Sequence, residues 1–325
     1  MLNKIKKALL NPIRTIDFIL AKYAIWLPDK LYLSIRYRLL TGKSMNWGNP
    51  QTFNEKLQWL KLHDHNPAYT QMVDKYEVKQ YVEKIVGGGY TIPTLGVWNS
   101  FEEIDFDSLP NRFVLKATHD SGTVIICKDK TLFDYKAAKK LFKKRLRQNY
   151  YDSHREFPYK NIRPRIIAEE YLTEDSNDTI VYANRNIQER FGLLDYKFMC
   201  FNGKVRALFL DIGVVNPNGN GHASEYYRSI FNRDFQKLPV CETRSHYPRL
   251  IEKPACWDEM IWIAEKLSQG IPHLRVDMYC INGAIKIGEL TFYHGSGWSN
   301  QFKPEAWDLI FGDWINLSQV KKMPR

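Results

Sequence analysis

A hairpin over residues 273–293 constrains the fold of this chain more than any other segment. Two strand-like runs, HLRVDMYCI and AIKIGELTFY, flank Asn282-Gly283, a dipeptide typical of tight antiparallel turns. The turn folds one run onto the other and brings the carboxylate of Asp277 near that of Glu289. Burying two carboxylates side by side is costly unless a cation lies between them. The hairpin therefore predicts an antiparallel sheet with a cation-binding face.

Magnesium is the cation that we expect on this face, because it binds one or two carboxylates and takes phosphate oxygens and water as its other ligands. Side chains alternate along a strand, so Arg275 shares a face with Asp277, and Thr291 shares one with Glu289. Arg275 would then contact the phosphates. An ion pair between Arg275 and these carboxylates, without a metal, is the alternative.

The charge of the chain is strongly positive and uneven. The formal net charge is +11, and residues 1–45 hold nine Lys and Arg against two acids. A second basic run covers residues 136–147. A positive field attracts nucleic acids, membranes and phosphorylated substrates alike, so charge alone does not choose among them. No stacking-aromatic motif of the RNA-binding type accompanies it, and we expect no nucleic-acid partner.

Residues 1–45 leave two interpretations open. They read as two or three helices, and their longest apolar run, residues 16–27, is interrupted by Asp17 and Lys22 and is too short to span a bilayer. A basic amphipathic helix can lie on an anionic membrane surface, or it can pack on its own domain. The five cysteines form no CxxC pair. They predict reduced thiols in a cytoplasmic protein, at the inner face of the membrane if the helices bind lipid.

Apolar periodicity predicts the α+β class. Helices are expected over 51–63, with Thr52 as N-cap, and over 74–86. Strands rich in β-branched residues follow, and a basic helix and a later apolar helix separate them. The expected strands are 113–118, 123–127, 165–172, 194–213 and 273–293, and the two helices are 133–149 and 257–268. Such an order forms two neighbouring α+β lobes after a helical start.

The first lobe contains a candidate phosphate loop. Lys116 lies in a strand that opens into the loop His119-Asp120-Ser121-Gly122 and closes with another strand. A glycine-containing turn can direct backbone N–H groups at phosphate oxygens, and a strand lysine adds a positive charge. The segment is not a Walker loop, because GxxxxGK[ST] is absent. A plain hairpin with a solvated lysine is the alternative.

Two further segments place charges beside the predicted cleft. In RIIAEEYL, Glu169 and Glu170 are neighbours on a strand, so one carboxylate faces a cleft and the other faces water. In DYKFMC, Lys197 shares a strand face with Asp195, and it would reach a phosphate or neutralise that acid. A strand end entering solvent is the alternative for the first segment.

These segments, in this order, resemble the ATP-grasp superfamily, which holds ATP between two α+β lobes. More narrowly, the chain is similar to the TupA-like ATP-grasp family, associated with teichuronopeptide and other bacterial surface-polysaccharide biosynthesis. The resemblance covers residues 45–310, and its strings are NPQTFNEKLQWLKLHD, VDKYEVKQYV, IPTLGVW, FVLKATHDSG, DYKFMCFNGK and RVDMY…GELTFYHGSG. It implies a basic helical segment at 1–45, a region at 46–110 before the ATP site, a small ATP-binding lid lobe at 111–172, and a large lobe with the metal site at 173–325.

The resemblance also implies roles for individual residues. Lys116, Lys197 and Arg275 would contact phosphates, and Lys75 would face the cleft. His119, Ser121 and Gly122 would form the mobile phosphate loop. Glu169 and the backbone around Tyr171 and Leu172 would hold adenine, and Glu170 or Asp175 would hold ribose. Asp277, Glu289 and Thr291 would bind magnesium, although many ATP-grasp enzymes have asparagine where this chain has Thr291, and a hydroxyl ligates magnesium more weakly or through water.

The implied activity is an ATP- and magnesium-dependent carboxylate–amine ligase that forms an acyl phosphate and releases ADP. The expected partners are ATP, an anionic glycan or uronic-acid acceptor, and an amino acid or amine donor. The candidates for binding the anionic acceptor are Arg163, Arg165, Arg206, Arg228, Tyr226 and the loop 294–297. A glycosyltransferase of the same pathway and a sugar kinase on the same fold are the alternatives.

Overall fold

The computed structural model describes residues 12–172, 179–181, 188–190, 193–213, 226–298 and 301–320. Within them the helices are α1 (Pro12–Tyr23), α2 (Asp29–Thr41), α3 (Phe53–His63), α4 (Ala68–Val73), α5 (Val78–Val86), α6 (Tyr135–Arg145), α7 (Tyr150–His154), α8 (Trp257–Leu267) and α9 (Ala306–Asp313). The strands are β1 (Thr94–Trp98), β2 (Phe113–Ala117), β3 (Val124–Cys127), β4 (Ile166–Glu170), β5 (Thr179–Val181), β6 (Gln188–Arg190), β7 (Asp195–Phe201), β8 (Lys204–Ile212), β9 (Tyr227–Asn232), β10 (Cys241–Glu242), β11 (His273–Ile281), β12 (Ala284–Thr291) and β13 (Phe302–Lys303).

The smaller of the two main sheets is antiparallel, with strand order β1-β4-β2-β3. Along β2 the side chains alternate, so Phe113, Leu115 and Ala117 are buried while Lys116 is half-buried on the other face. The buried face packs on Phe142 of helix α6. This alternation is the reason that Lys116 points away from the core of the lobe.

The larger sheet is antiparallel with strand order β12-β11-β7-β8-β9. Helix α8 covers one face, and the rings of Phe198 and Trp257 lie 5.3 Å apart. Both Asn-Gly turns have positive φ at each residue, 50° and 77° at Asn202-Gly203 and 50° and 82° at Asn282-Gly283. The α+β class, with two main sheets after a helical start, is confirmed, whereas the predicted domain boundaries stay predictions.

A bulge in the second hairpin decides which face Glu289 occupies. Ile281 pairs with Ala284, and an unbroken register would place Asp277 opposite Gly288. The register instead shifts by one residue, and Asp277 pairs with Glu289. A one-residue slip moves a side chain to the other face of a sheet. At Gly288 an added Cβ would lie 2.9 Å from the ring of Tyr279, so the bulge favours glycine.

The two N-terminal helices differ in how they pack. Helix α2 buries Tyr32 and Leu33 beside Trp298. Helix α1 buries no residue and is held by an ion pair in which Arg36 Nε lies 2.6 Å from Asp17 Oδ1. In the described part of the chain, no helix is both long and apolar enough to cross a membrane.

The local predictions near the site need one correction. Thr52 caps α3 in a reciprocal capping box with Glu55, as predicted. The helix expected over 74–86 begins only at Val78, because the Asp74 carboxylate accepts from the backbone N–H groups of Tyr76 and Glu77 and holds a turn there. Residues 1–11 and Asp175 lie outside the described residues.

Candidate active site

Three charged side chains meet on the small sheet. Lys116 Nζ on β2 lies 2.5 Å from Glu169 Oε2 on β4, and Lys79 Nζ on α5 lies 2.5 Å from Glu169 Oε1. Burial opposes ionisation of this carboxylate, but the two lysines outweigh it and hold the pKa of Glu169 below its usual value. We call these three residues the small-sheet cluster. Two ammonium groups sharing one carboxylate leave positive charge available to an anion.

The predicted phosphate loop connects β2 with β3. Its base is anchored, because Lys75 Nζ donates to the backbone oxygen of Asp120 and His119 Nε2 lies 3.1 Å from the backbone oxygen of Arg145. Its tip is open, since Ser121 and Gly122 are exposed and Gly122 has φ +97°. Lys75 therefore supports the loop, and its position at the ATP cleft stays a prediction.

The residues predicted to hold the nucleoside lie at the end of β4 and just beyond it. Glu169 is buried and occupied by the two lysines, whereas Glu170 is exposed at the strand end. Tyr171 and Leu172 continue the chain and are half-buried. This arrangement matches the prediction that adjacent glutamates face opposite sides, and their contacts with adenine and ribose stay predictions.

The second cluster lies on the large sheet. Asp277 accepts from Arg275 at both carboxylate oxygens, with Nε–Oδ1 and NH2–Oδ2 each 2.7 Å, and from Lys197 Nζ at 2.9 Å. Burial opposes its charge, yet Arg275 and then Lys197 hold the pKa of Asp277 below its usual range. Lys197 also donates to Asp195. With Glu289, whose carboxylate lies 3.8 Å from Arg275, these residues form the large-sheet cluster.

The sequence left open whether these residues form a magnesium site or an ion pair with Arg275, and the large-sheet cluster has features of both. Asp277 pairs directly with Glu289, as the hairpin predicts, and it is also ion-paired with Arg275. Glu289 keeps 27% of its side chain exposed. The hydroxyl oxygen of Thr291 is buried and has no hydrogen-bond partner among the described residues. Both are oxygen donors of the kind that magnesium prefers, so they fit that ion.

The protein side chains alone would not identify this site as a metal centre. Across the described ranges, no group of three or more His, Cys, Asp or Glu is arranged to hold a metal ion. Two carboxylates and one hydroxyl are a sparse set of protein ligands. Such a set suits magnesium when phosphate oxygens and water fill its remaining positions.

Acids of both clusters influence the same side chain, Tyr279 on β11. The pKa of its hydroxyl is raised well above its usual value by acids from both sheets and by burial. In order of effect, the causes are Asp195, burial, Asp277, Glu289 and Glu169. The acids of the large sheet and the glutamate of the small sheet are thus near enough to influence the same side chain.

Behind Arg275 a buried polar chain extends the large-sheet cluster. Arg275 NH1 lies 2.9 Å from His294 Nδ1, and His294 Nε2 lies 3.8 Å from Glu242 Oε1. Glu242 accepts in turn from Arg228, whose Nε lies 2.5 Å from Asp211 Oδ1. Burial lowers the pKa of His294, so the neutral ring is favoured. This chain orients Arg275 toward Asp277.

A cavity of about 270 Å³ opens between the loop tip and the large sheet. Ser121 lines one side, and Arg275 and Thr291 line another. Aromatic residues and the buried Glu156 complete the wall. The predicted phosphate loop, the predicted phosphate arginine and the predicted metal strand therefore share one space.

Among the described residues that line this cavity, none is one of the five side chains predicted to bind an anionic acceptor. Arg165 NH2 lies 2.9 Å from Asp74 Oδ2, and Arg228 is paired with Asp211, so both are committed to internal ion pairs. The loop 294–297 does contribute to the wall, through Gly295 and Ser296. The other three candidates, which lie away from the cavity wall, are Arg163, Arg206 and Tyr226.

Sequence reasoning missed several site residues. Lys79 had a signal, because it follows Lys75 by four residues in the string VDKYEVKQYV. Glu156 and Lys61 had none, since each is far along the chain from the hairpin. Their proximity to Ser296 exists only in the folded chain.

The fold is that of an ATP-grasp enzyme, in which two α+β lobes hold ATP. Within that class the chain belongs to the TupA-like ATP-grasp family, whose profile matches residues 55–316. The resemblance drawn from the sequence is thereby confirmed. The protein is an ATP-dependent ligase with ATP and Mg²⁺ as its cofactors, and the chemistry of its class joins a carboxylate to an amine.

Solved structures with a similar fold are distant. A D-alanine–D-alanine ligase from Helicobacter pylori is 13% identical, with a TM-score of 0.41 over 85% of this chain and 69% of that one. A D-alanine–D-alanine ligase from Bacillus anthracis complexed with ATP is 14% identical, with a TM-score of 0.41 over 85% and 74%. The ATP-grasp ligase PsnB complexed with a minimal precursor, Mg and ADP is 10% identical, with a TM-score of 0.38 over 82% and 66%. A search of curated proteins gave no significant match.

Proposed function

We propose that this protein joins an amino acid or another amine to a uronic-acid-type carboxylate in capsular or cell-wall polysaccharide biosynthesis. One observation carries the proposal: the cavity between Ser121 of the phosphate loop and the Arg275–Thr291 face. A carboxylate in that space would be adjacent to the γ-phosphate of ATP. The likeness to a family associated with bacterial surface polysaccharides supports a uronic acid as the source of the carboxylate.

Each cluster has a role in this proposal. Lys116 and Lys79 would bind the phosphates nearer the nucleoside, and the loop tip at Ser121 and Gly122 would cover them. Arg275 and Lys197 would bind the phosphate that is transferred. Positioning and charge neutralisation of this kind supply most of the catalysis in phosphoryl transfer.

Magnesium would be held by Asp277 and Glu289, with Thr291 contributing its hydroxyl oxygen directly or through water. When bound, the ion neutralises charge on the phosphates and helps to orient them. Arg275 and Lys197 would keep Asp277 ionised and fixed while the ion is absent. In the presence of ATP, their guanidinium and ammonium groups would turn toward phosphate oxygens instead.

The reaction requires no nucleophile from the protein. The substrate carboxylate attacks the γ-phosphorus, the bond to ADP breaks, and an acyl phosphate forms. The amine then attacks the acyl carbon and phosphate leaves. Closure of the phosphate loop excludes water, which would otherwise hydrolyse the acyl phosphate.

The test incubates the protein with ATP, Mg²⁺, a panel of uronic acids and a panel of amino acids. ADP, free phosphate and product mass are followed together. We expect equal amounts of ADP and phosphate and a product with the mass of an amide. Phosphate retained on the sugar would identify a kinase, and product formation without ATP would identify a glycosyl transfer; either result contradicts the proposal.

We also propose that helix α1 binds the surface of an anionic membrane. It carries Arg14 and Lys22, and the exposed apolar side chains there include Phe18 at 63%, Tyr23 at 61% and, just beyond the helix, Trp26 at 77%. Apolar and aromatic groups beside basic ones favour the headgroup region of anionic lipids. Lipid-linked glycans would be reached from this position.

Flotation with vesicles tests this placement. We expect the protein to float with phosphatidylcholine vesicles that contain phosphatidylglycerol and not with pure phosphatidylcholine. The double variant Phe18→Ser/Trp26→Ser should lose flotation. The matched control, Leu132→Ser/Leu250→Ser, removes two leucines that are 83% and 65% exposed elsewhere. Equal loss in both double variants would contradict a specific role for this segment.

A further inference from the structure

The residues that line the cavity beside the active site fall into two chemical groups. Ser121, Arg275 and Thr291 are the predicted phosphate and metal groups. The other group is mostly aromatic and contains a single acidic side chain, Glu156. The aromatic lining residues are Tyr150, His154, Tyr159, Tyr293 and Trp298.

Glu156 has one carboxylate oxygen committed and one open. Its Oε1 accepts from Ser296 Oγ at 2.6 Å. Among the described residues, no donor is found for its Oε2. Only 3% of the residue is exposed, and it lines the cavity. A carboxylate oxygen at a cavity wall without a protein donor is free to accept from a ligand, so this geometry favours a ligand that brings donors.

Lys61 does not donate a hydrogen bond to Glu156. Its Nζ donates to Ser296 Oγ at 3.0 Å and to the Ser296 backbone oxygen at 2.8 Å, so the serine lies between the two charges. Burial raises the pKa of Glu156 to about 7 and lowers the pKa of Lys61 to about 7. Near neutral pH, both side chains can therefore change protonation state at little cost.

The aromatic wall is suited to a cation. Lys61 Nζ lies 3.9 Å from the ring centroid of Trp298 and 5.7 Å from that of Tyr293, so these two rings already hold one ammonium group. The rings of Tyr150 and Tyr159, which also line the cavity, lie 4.7 Å apart. Burial lowers the pKa of His154 to about 3, which leaves that ring uncharged.

We propose that Glu156 and the aromatic residues of this cavity bind the ammonium group of the amine substrate, with Glu156 as its counter-ion and as the base that deprotonates it. The inference rests on the proposed function, which it deepens by assigning the nucleophile to named residues. A primary ammonium has three N–H donors, and one would satisfy the open oxygen of Glu156. The aromatic rings would surround the remaining positive surface.

The proton transfer and the bond changes balance. The ammonium gives one proton to the Glu156 carboxylate and becomes a neutral amine. Its lone pair attacks the acyl carbon, the C–N bond forms, and the bond between that carbon and the phosphate oxygen breaks. The second proton lost from nitrogen leaves with the phosphate. Glu156 then releases its proton to water as the product departs.

Calorimetry tests the site without turnover. The wild-type protein, saturated with ADP and Mg²⁺, is titrated with ethanolammonium chloride, with ethylene glycol as the uncharged analogue, and with sodium propionate as an anion. We expect ethanolammonium to bind more tightly than either, and Glu156→Gln to weaken it by about tenfold or more. Tighter binding of propionate than of ethanolammonium by wild type overturns the proposal, whatever the variant does.

Trapping with hydroxylamine separates this inference from the proposed function. Hydroxylamine is uncharged at neutral pH and converts an acyl phosphate into a hydroxamate, which forms a coloured complex with ferric ion. With ATP and a uronic acid, no hydroxamate from wild type would count against the acyl phosphate itself. Where hydroxamate forms, we expect the ratio of amide to hydroxamate to fall about tenfold or more in Glu156→Gln and to recover partly in Glu156→Asp. An unchanged ratio overturns the role of Glu156, and melting temperature and ADP affinity report whether each variant is folded.

Discussion

In the small sheet Glu169 lies between Lys79 and Lys116, and in the large sheet Asp277 lies between Lys197 and Arg275. Both carboxylates are buried, and in both the neighbouring cations hold the pKa below its usual value against the effect of burial. The similarity ends there.

The two clusters differ in the sign of their formal charge. The small-sheet cluster has two cations and one carboxylate, which leaves it positive. The large-sheet cluster has the same number of cations but adds Asp195 and Glu289, which leaves it negative. A positive cluster attracts phosphate oxygens, and a negative one attracts a divalent cation. The comparison teaches that the same ion-pair geometry suits different ligands, according to how many acids surround it.

The largest effect is expected for Glu289→Gln. Glu289 is the least committed acid of the large-sheet cluster, so its loss should remove cation binding while leaving the Arg275–Asp277 pair in place. We expect the rate of turnover to fall by about 10²-fold or more, with little change in melting temperature. Steady-state ADP release measures it, and Glu305→Gln, at an exposed ion pair, is the control. Near wild-type turnover in Glu289→Gln would refute the assignment.

The next largest effect concerns the buried chain behind Arg275. Burial opposes the charge of Glu242, but the neighbouring His294 and Arg228 lower its pKa to about 2. A carboxylate with a lowered folded pKa stabilises the fold fully above its unfolded value of 4.5, and this is lost as pH falls toward about 2. We expect the free energy of unfolding of the wild type to exceed that of Glu242→Gln by about 3 kcal/mol at pH values above 4.5, and by little near pH 2.

Urea unfolding at a series of pH values measures this difference. Glu252→Gln is the control, because Glu252 is an exposed acid. A gap between wild type and Glu242→Gln that does not depend on pH would contradict the ion-pair account. The small-sheet cluster has no such buried extension in the part of the chain that the structure describes.

A smaller effect is expected on the small sheet. Lys116→Ala removes one of two cations, and Lys79 remains beside Glu169. We expect KM for ATP to rise, or kcat to fall, by about tenfold, equivalent to about 1.4 kcal/mol. Lys79→Ala should have a similar effect, and the double variant should lose more ATP affinity or activity than either single variant. Kinetics at varied ATP measure this, and a wild-type KM in the double variant would contradict a phosphate-binding role.

The smallest effect is expected for Gly288→Ala at the bulge. The added Cβ would meet the Tyr279 ring at 2.9 Å, so the ring must shift slightly. We expect a loss of about 1 kcal/mol in stability and a few-fold lower kcat, because the bulge positions Glu289. Gly48→Ala is the control, as the nearest atom to its Cβ is 3.9 Å away. Equal effects of the two substitutions would show that the bulge is tolerant.

Much of the framework was predictable because its signals are local. The two Asn-Gly turns, the capping box at Thr52 and the alternation that exposes Lys116 each depend on a few adjacent residues. The pairing of Asp277 with Glu289 was predicted correctly, but counting from the turn alone would place Gly288 there. The bulge depends on how Tyr279 packs, which is a tertiary effect.

The remaining site residues depend on long-range contacts. Glu156 meets Ser296 across 140 positions, and Lys61 meets it across 235. No periodicity or motif spacing connects segments so far apart. The same holds for Arg228, which looked available for an anionic acceptor until the fold paired it with Asp211 and Glu242.

Binding of Mn²⁺, a paramagnetic substitute for Mg²⁺, tests the central claim most directly. Electron paramagnetic resonance of wild type and Glu289→Gln, each with ADP, reports bound Mn²⁺ without any substrate. The negative charge of the large-sheet cluster predicts a bound ion in wild type and affinity weakened by about tenfold or more in the variant. Equal Mn²⁺ affinity in the two proteins would mean that the ion lies elsewhere.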